Sequence, residues 1–423
     1  MAVVEEQLKN ESRLRTMLEI NRRINSSLEL EEVLDFILES ARILIPYDAA
    51  EIYLLDPNTQ TVEHVVSRGY HESECVEVPL AHMRGIVGRV ITTGESVLAP
   101  VVEQNPYYMR SRPTTQSQLT VPIISNGKII GAFNLESDRP GHFTDEDLQW
   151  LTVLATQAAI SLEKALLHRE RLEKKRLEEQ LRIAREVQLS LLPAAAPHVD
   201  GFDIAGLNVP SEDIGGDYYD FIPIVPGHLG IVIADVAGKG IPASLIMSAF
   251  RAFLRAEIRN NYSIRTIFAK VNKLLCESLA GYQFVTAVYG VLDVANRRFT
   301  FSNAGHHPPV VLRADGSVRY LRSGGMVLGL IEDQTYNERT IDLLPGDVLL
   351  MYTDGLVEAE NAAHQMFDRG RIEQVARANA HLSASALCQT LYADMKQFTG
   401  DSQLRDDTTI VVVKVLPMEA QRA

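Results

Sequence analysis

The chain has 423 residues, which at roughly 150 residues per domain predicts two or three domains. Its composition, 46% hydrophobic and 23% charged, is typical of a folded globular protein. The formal net charge of −14 argues against a main role in coating nucleic acid or an anionic membrane, so neither is expected as a partner. Three scattered cysteines, and an acidic N-terminus unlike a signal peptide, predict a cytoplasmic protein with neither disulfides nor a thiolate metal cluster.

The first part of the chain has the pattern of a helix followed by an α+β module. In residues 1–28, apolar residues recur at helical spacing among charged ones, which predicts an amphipathic helix. This helix either packs on its own domain or pairs with a second copy. Residues 29–166 alternate helical and extended patterns, with a hairpin turn at Asn126-Gly127. They predict one antiparallel sheet flanked by helices from both ends.

A charged helical linker follows in residues 167–193. The last helix of the module, which Thr144 is expected to cap, continues into a segment where both signs of charge are interspersed with a narrow apolar stripe. A helix that is polar nearly all round must pair with another helix or bridge two domains. We expect a parallel coiled coil that makes the protein a homodimer, and a solvent-exposed spacer in a monomer is the alternative.

Residues 194–417 are rich in strand patterns, with two pairs of helices inserted, and residues 418–423 form a tail. Strands cluster on either side of the first helical pair. This order predicts a sandwich of sheets covered by helices.

Acidic residues stand at four strand ends of this last region. Asp217 follows two glycines, Asp235 and Asp354 each end an apolar strand, and Asp406 and Asp407 precede the final strand. A single aspartate at a strand end is usually a cap or turn residue, but several that converge would repel one another unless a hard cation joined them. Mg²⁺ and Mn²⁺ prefer such oxygen ligands, and a pair of ions can activate water and clamp a phosphoryl group. The pattern therefore predicts a two-metal site for phosphoryl chemistry.

The C-terminal region resembles the PPM (metal-dependent, type-2C-like) serine/threonine phosphatases, and among them the bacterial SpoIIE-like or RsbU-like class. The matching blocks are AREVQLSLLP (184–193), IGGDYYDF (214–221), IADVAGKGIPASLIM (233–247), FVTAVYGVLD (284–293), FSNAGHHPP (301–309), YTDGLVEAEN (352–361) and DDTTIVVV (406–413). The resemblance implies an αββα sandwich of two antiparallel sheets with two Mn²⁺ or Mg²⁺ ions at one end.

Carried over by motif, the resemblance implies a role for each site residue. Asp235 bridges both ions and the main-chain carbonyl of Val236 binds one of them. Asp354 and Asp406 hold the other ion, and Asp217 contributes directly or through water. Asp217 and Asp235 are then the catalytic residues, acting through a metal-bound hydroxide. The first strand of this region lacks the arginine with which the eukaryotic branch holds the substrate phosphate, so we expect poor activity on small esters.

Residues 29–166 resemble a GAF domain, and no ligand can be assigned to it. The matching stretches are LEEVLDFILESA (30–41), AAEIYLLD (49–56), GIVGRVITTGESVLAP (85–100), LTVPIISNGKIIGAFNLES (119–137) and FTDEDLQWLTVLATQAAISLEKALL (143–167).

The two resemblances together predict an α+β multidomain protein in which a GAF sensor, a helical coiled-coil linker and a PPM phosphatase domain follow one another. The implied reaction is hydrolysis of phosphoserine or phosphothreonine on a signalling protein. By resemblance, the substrate is a phosphorylated anti-anti-sigma (STAS-domain) protein in a partner-switching pathway. The alternative is a catalytically silent regulatory scaffold that uses the PPM fold to bind partners.

Overall fold

The protein divides into two compact units. A computed structural model describes residues 18–20, 22–56, 61–70, 78–79, 84–110, 112–279, 281–400 and 404–417. The N-terminal unit is Met1–Leu177 and the C-terminal unit is Glu178–Ala423. Most of the predicted helix in residues 1–28, together with Cys75 and the predicted tail in residues 418–423, lies outside the described residues. In the ranges given above, no helix combines the length and the apolar character needed to cross a membrane.

The N-terminal unit contains one six-stranded antiparallel sheet in the order β3-β2-β1-β6-β5-β4. Its elements are α1 (Leu30–Leu44), β1 (Ala49–Leu55), β2 (Thr61–Arg68), β3 (Val78–Pro79), α2 (Gly85–Thr93), β4 (Val97–Ala99), β5 (Ser117–Ser125), β6 (Lys128–Ser137) and the first part of α3 (Asp145–Leu191). Asn126 and Gly127 both have positive φ in the β5–β6 turn, as the Asn-Gly signal predicts. The predicted antiparallel sheet with flanking helices is confirmed.

Helices cover both faces of this sheet. Alternate residues of β5, such as Leu119 and Val121, pack against α1 and α3, while α2 covers the opposite face. Ile20 and Ile24 are buried in the same core as α1. The described part of the N-terminal helical segment therefore packs on its own unit.

Helix α3 runs for 47 residues without interruption. Thr144 caps its start, because its hydroxyl accepts a hydrogen bond from the backbone N–H of Asp147. Arg182 forms ion pairs with Glu179 and Glu186 one turn away on either side, which supports the helix where packing is sparse. The predicted continuation of the helix through the linker is confirmed, whereas pairing with a second copy stays a prediction.

The C-terminal unit is built from two sheets. Its elements are β7 (Phe202–Val209), β8 (Tyr218–Val225), β9 (His228–Val236), α4 (Gly240–Asn260), α5 (Ile264–Ser278), β10 (Val285–Asp293), β11 (Arg298–Ala304), β12 (Val310–Leu312), β13 (Val318–Tyr320), β14 (Gly324–Gly325), β15 (Arg339–Asp342), β16 (Val348–Tyr352), α6 (Asp354–Val357), α7 (Arg369–Ala378), α8 (Ala384–Thr399) and β17 (Thr408–Val415). One sheet has the order β14-β11-β10-β9-β8, with β15 also on β11, and the other has the order β13-β12-β16-β17-β7. The pairs named here are antiparallel except β11–β14.

These elements stack in four layers. Along β17, Val411 and Val413 face the core between the sheets, while Ile410 and Val412 face helices α7 and α8. On the other side, α4 and α5 pack on the outer face of the first sheet. Because side chains alternate along a strand, a strand buried on both faces reads as a continuous apolar run, and β17 has this pattern. The predicted αββα sandwich is confirmed.

Candidate metal centre

The four predicted acids lie at strand ends on one edge of the sandwich. Asp217 directly precedes β8 and Asp235 is the next-to-last residue of β9, and the β8–β9 register brings these two positions opposite each other. Asp354 follows β16 and begins α6, while Asp406 lies just before the neighbouring strand β17. Each sheet therefore supplies two of the acids.

The charges of these side chains interact across the two sheets. Burial, and then repulsion from Asp354 and Asp406, raises the pKa of Asp235 to about 7. Burial, and then Asp406, raises the pKa of Asp354 to about 6. Burial, and then Asp235, raises the pKa of Asp217 well above its ordinary value. The fold thus concentrates carboxylates that destabilise one another when they are ionised.

Lys239 partly offsets this charge. Its Nζ lies 2.9 Å from Asp406 Oδ2 and also donates to the main-chain carbonyl of Arg405. A single ammonium group cannot neutralise four carboxylates, so the donor set, which is hard and anionic, suits divalent cations such as Mn²⁺ and Mg²⁺. In the described residues, no three acidic, histidine or cysteine side chains converge as tightly as in a finished metal site. The carboxylates therefore fit the ions in chemistry, and binding would have to draw them closer together.

Val236 ends β9 and its side chain is buried. A Cβ at position 216 would lie 3.2 Å from the Val236 carbonyl oxygen, so Gly216 lets the loop before Asp217 approach this carbonyl closely. The predicted carbonyl ligand is therefore beside the loop that carries Asp217.

Two threonines hold the carboxylate of Asp217, which is 3% exposed. The hydroxyls of Thr353 and Thr409 donate to Asp217 Oδ2 at 2.8 and 2.6 Å. Each threonine adjoins a predicted acid in the sequence, in the segments YTDG and DDTT. Sequence analysis did not assign them, because which side of a strand end they face depends on the packing of both sheets.

Asp407 holds the loop before Asp217 in place through two hydrogen bonds. Its Oδ1 accepts from the backbone N–H of Ser211 at 2.8 Å, and its Oδ2 accepts from the backbone N–H of Gly216 at 2.6 Å. A Cβ at position 215 would lie 2.4 Å from Asp407 Oδ2, which explains why a glycine precedes Gly216. Of the paired acids in DDTT, Asp407 therefore fastens a loop, while Asp406 faces Lys239.

The end of helix α3 contacts the same loop. Gln188 Nε2 donates to the carbonyl of Gly215, and the N–H of Gly215 donates to Gln188 Oε1 at 3.2 Å. This two-way contact joins the last turns of α3 to the segment that carries Asp217. Gln188 lies in the matching block AREVQLSLLP, but that block does not indicate which residue the glutamine contacts.

Two polar residues within the matching blocks IGGDYYDF and FSNAGHHPP have structural roles. Asp220 is buried, and its Oδ2 accepts hydrogen bonds from Tyr218 and from Arg255 Nε, the latter at 2.8 Å. Burial lowers the pKa of His306 to about 3, so it is neutral, and its Nδ1 lies 2.8 Å from the hydroxyl of Thr286.

The N-terminal unit also has a buried polar cluster, on the sheet face opposite α1. Asn134 Oδ1 accepts from Gln118 Nε2 and from the hydroxyl of Thr120, both at 2.7 Å, and Asn134 Nδ2 donates to Glu136 Oε1 at 3.2 Å. Burial raises the pKa of Glu136. This side of the sheet therefore combines an apolar contact with α2 and an internally hydrogen-bonded polar cluster, whereas the side that packs on α1 is apolar.

Comparison with known proteins identifies both units. Residues 225–416 match the family model described as Stage II sporulation protein E (SpoIIE), and residues 27–163 match that of the GAF domain. The C-terminal unit is thus a PPM-class protein phosphatase domain of the SpoIIE type, and the N-terminal unit is a GAF domain.

Particular relatives agree with this assignment. The chain is 27% identical over 239 residues to phosphoserine phosphatase RsbU of Bacillus subtilis (strain 168), an alignment that covers 56% of this chain and 70% of that protein. It is 26% identical over 193 residues to phosphoserine phosphatase RsbP of the same organism, covering 45% of this chain but only 47% of that protein. The SiaA-PP2C domain of Pseudomonas aeruginosa shares the fold, with a TM-score of 0.51 and 22% identity, over 57% of this chain and 98% of that domain.

Proposed function

We propose that the protein is a metal-dependent phosphatase that hydrolyses phosphoserine or phosphothreonine on a signalling protein, under the control of its GAF domain. The observation that carries the proposal is the meeting of four carboxylates from two sheets, two of them with pKa values raised to about 7 and about 6. Such a concentration of buried charge is costly to folding and is typical of a functional site. Similarity to two proteins named phosphoserine phosphatases supports the same reaction.

Each site residue has a role in this proposal. Asp217, Asp235, the Val236 carbonyl, Asp354 and Asp406 would hold two Mn²⁺ or Mg²⁺ ions. When bound, such ions supply the positive charge that activates water and neutralises phosphoryl oxygens. The protein supplies position, because burial restricts Asp217 and Asp235 and the sheets fix the strand ends that carry all four acids.

The surface next to the acids suits a segment of protein. A cavity of about 350 Å³ adjoins Asp354 and Asp406, and its wall includes Glu358, Glu360 and Arg405. Arg405, the arginine in this wall, is largely exposed and forms an ion pair with Glu360 at 2.6 Å. Recognition would then rest on a protein surface rather than on an arginine that grips the phosphate, and we expect slow turnover of small aryl phosphates.

We propose a phosphorylated STAS-domain protein as the substrate. The support is the likeness to RsbU and RsbP together with the GAF–helix–phosphatase order of the chain. Helix α3 ends at Leu191, and in its last turns Gln188 contacts the loop that carries Asp217. A change in α3 could thus reach the metal centre through Gly215, which is the route that we propose for regulation.

The test is Mn²⁺-dependent release of phosphate from a phosphoserine STAS protein by the full chain. We expect turnover that is abolished by chelation and by Asp235→Asn, while Cys276→Ser, which is outside the acid cluster, retains it. Binding of Mn²⁺ without turnover has two explanations, a wrong substrate or inhibition by the N-terminal unit. A chain that starts at Glu178 should gain turnover if the N-terminal unit inhibits, and its continued inactivity would contradict the proposed substrate. Absence of both Mn²⁺ binding and turnover would contradict the enzyme and favour a regulatory scaffold.

We also propose that the protein is a homodimer joined through the GAF unit and α3. Val153, Ile160 and Leu167 on α3 are spaced by seven residues, and their exposures are 46%, 49% and 58%. Exposed apolar residues at this spacing are typical of a helix that pairs with another helix. Leu167→Glu should shift the mass measured by light scattering from dimer to monomer, whereas Leu172→Glu, which is off this spacing, should shift it less.

A further inference from the structure

The buried carboxylate of Asp217 is held by only one of its two oxygens among the described residues. Thr353 and Thr409 both donate to Oδ2, at 2.8 and 2.6 Å, and both threonines are fully buried. The two hydroxyls come from the ends of β16 and β17, which belong to the second sheet, whereas Asp217 precedes a strand of the first. The contact therefore joins the two sheets at the acid cluster.

The direction of these hydrogen bonds follows from their other partners. The hydroxyl of Thr353 accepts from the backbone N–H of Thr409 at 2.9 Å, and the hydroxyl of Thr409 accepts from Asn208 Nδ2 at 2.8 Å. Neither nitrogen can accept a hydrogen bond in return. The Thr353 hydroxyl has a second acceptor, the carbonyl oxygen of Asp407, but at 3.4 Å this contact is longer than the 2.8 Å to Asp217 Oδ2. Asp217 Oδ2 thus receives both hydroxyl protons in the shorter contacts and is held in one orientation.

This arrangement leaves the other oxygen for the site. Both threonines bind Oδ2, and Asp217 Oδ1 has no hydrogen-bond partner among the described residues, so Oδ1 is the oxygen left for a further ligand. We infer that Thr353 and Thr409 are positioning residues of the metal centre, which fix Asp217 so that Oδ1 is presented to a divalent ion. The inference rests on the proposed function, because it assumes that Asp217 helps to hold the ions.

Groups that orient a metal ligand typically change metal affinity by about 10- to 100-fold when they are removed. Thr409→Val keeps the shape of the side chain and removes the hydroxyl, so Mn²⁺ affinity should fall by about tenfold or more. Thr409→Ser retains the hydroxyl and should remain within about threefold of the original protein. Thr353→Val should weaken Mn²⁺ binding in the same direction.

The chain offers a matched control in the adjacent residue. Thr408 is also fully buried in β17, and its hydroxyl has no hydrogen-bond partner among the described residues. Thr408→Val makes the same chemical change one position away and should leave Mn²⁺ affinity unchanged. A general effect of valine on β17 would appear equally in both variants.

The experiment is isothermal titration of the full chain with Mn²⁺, together with a thermal unfolding scan of each variant in chelator. A tenfold loss of affinity in Thr409→Val, restored in Thr409→Ser and absent in Thr408→Val, is the expected result. Equal affinity of Thr409→Val and the original protein would overturn the inference while leaving the phosphatase intact. If Thr409→Val does not fold, unchanged affinity in Thr353→Val overturns it instead. Failure of the original protein to bind Mn²⁺ would overturn both the inference and the proposed function.

Discussion

Removing one charge from the acid cluster should stabilise the metal-free protein. Burial and the repulsion of neighbouring acids together raise the pKa of Asp235 from 3.8 to about 7. Asp235→Asn keeps the size of the side chain and removes the charge. We therefore expect the variant to unfold less readily than the original protein in chelator, although it should lose the proposed activity.

The magnitude follows from the pKa. At about 1.4 kcal/mol per pH unit, raising the pKa from 3.8 to about 7 costs on the order of 4 kcal/mol once Asp235 is ionised. The asparagine amide should form incomplete hydrogen bonds in the same place, and this reduces the stabilisation by about 1–2 kcal/mol. The expected net stabilisation is about 2–3 kcal/mol at about pH 8.

The pH dependence has a defined sign. Since the folded-state pKa of Asp235 is above its unfolded value, its contribution is fully present below pH 3.8 and is lost as the pH rises to about 7. The advantage of Asp235→Asn should thus be small near pH 4, grow through this window and level off above about pH 8.

The assay is urea denaturation in chelator across this pH range, and two spectroscopic signals monitor the unfolding. Trp150 is the only tryptophan of the chain and lies in the N-terminal unit, so its fluorescence should not change with the substitution. Far-UV circular dichroism reports the unfolding of both units. The transition that tryptophan fluorescence does not show is that of the C-terminal unit, and it should move to a higher urea concentration. Asp220→Asn is the matched control, because its buried carboxylate is paired with Arg255 and its loss should destabilise the C-terminal unit. An Asp235→Asn protein that is no more stable than the original at about pH 8 would refute the reasoning.

Two further predictions concern the same site. Mn²⁺ competes with protons for Asp235 and Asp354, whose pKa values are raised to about 7 and about 6, so apparent Mn²⁺ affinity should increase from about pH 5.5 to about pH 7.5 and then level off. Calorimetric titration in non-chelating buffers checks this, and a flat profile would contradict it. Gln188→Leu removes both hydrogen bonds to Gly215 and should lower the free energy of unfolding of the C-terminal unit by about 1–2 kcal/mol. Gln188→Glu, which keeps the acceptor, should lie between the two in urea denaturation, and equal stability of all three would show that the contact is dispensable.

Much of the secondary structure is determined locally. The strands predicted within residues 194–417 and the two pairs of helices among them are present in the structure, because burial on one or both faces leaves a period that is visible in the sequence. The short strands β12 to β15 escaped prediction. They contain only two to four residues each, which is too few for a period. In addition, β14 and β15 pair with β11 and not with a strand next to them in the sequence.

The candidate acids could be chosen from the sequence because each stands where an apolar strand ends. Sequence alone already determined the two-unit order, the uninterrupted helix between the units and the presence of Asp217, Asp235, Asp354 and Asp406 at strand ends. It could not determine which oxygen of Asp217 is held, or that Asp407 fastens the loop at Gly216. Those facts depend on contacts between residues about 140 to 190 positions apart, which only the packing of the two sheets brings within hydrogen-bonding distance. Local patterns indicate which face of a strand is buried, whereas the residue that contacts that face is determined by the tertiary structure.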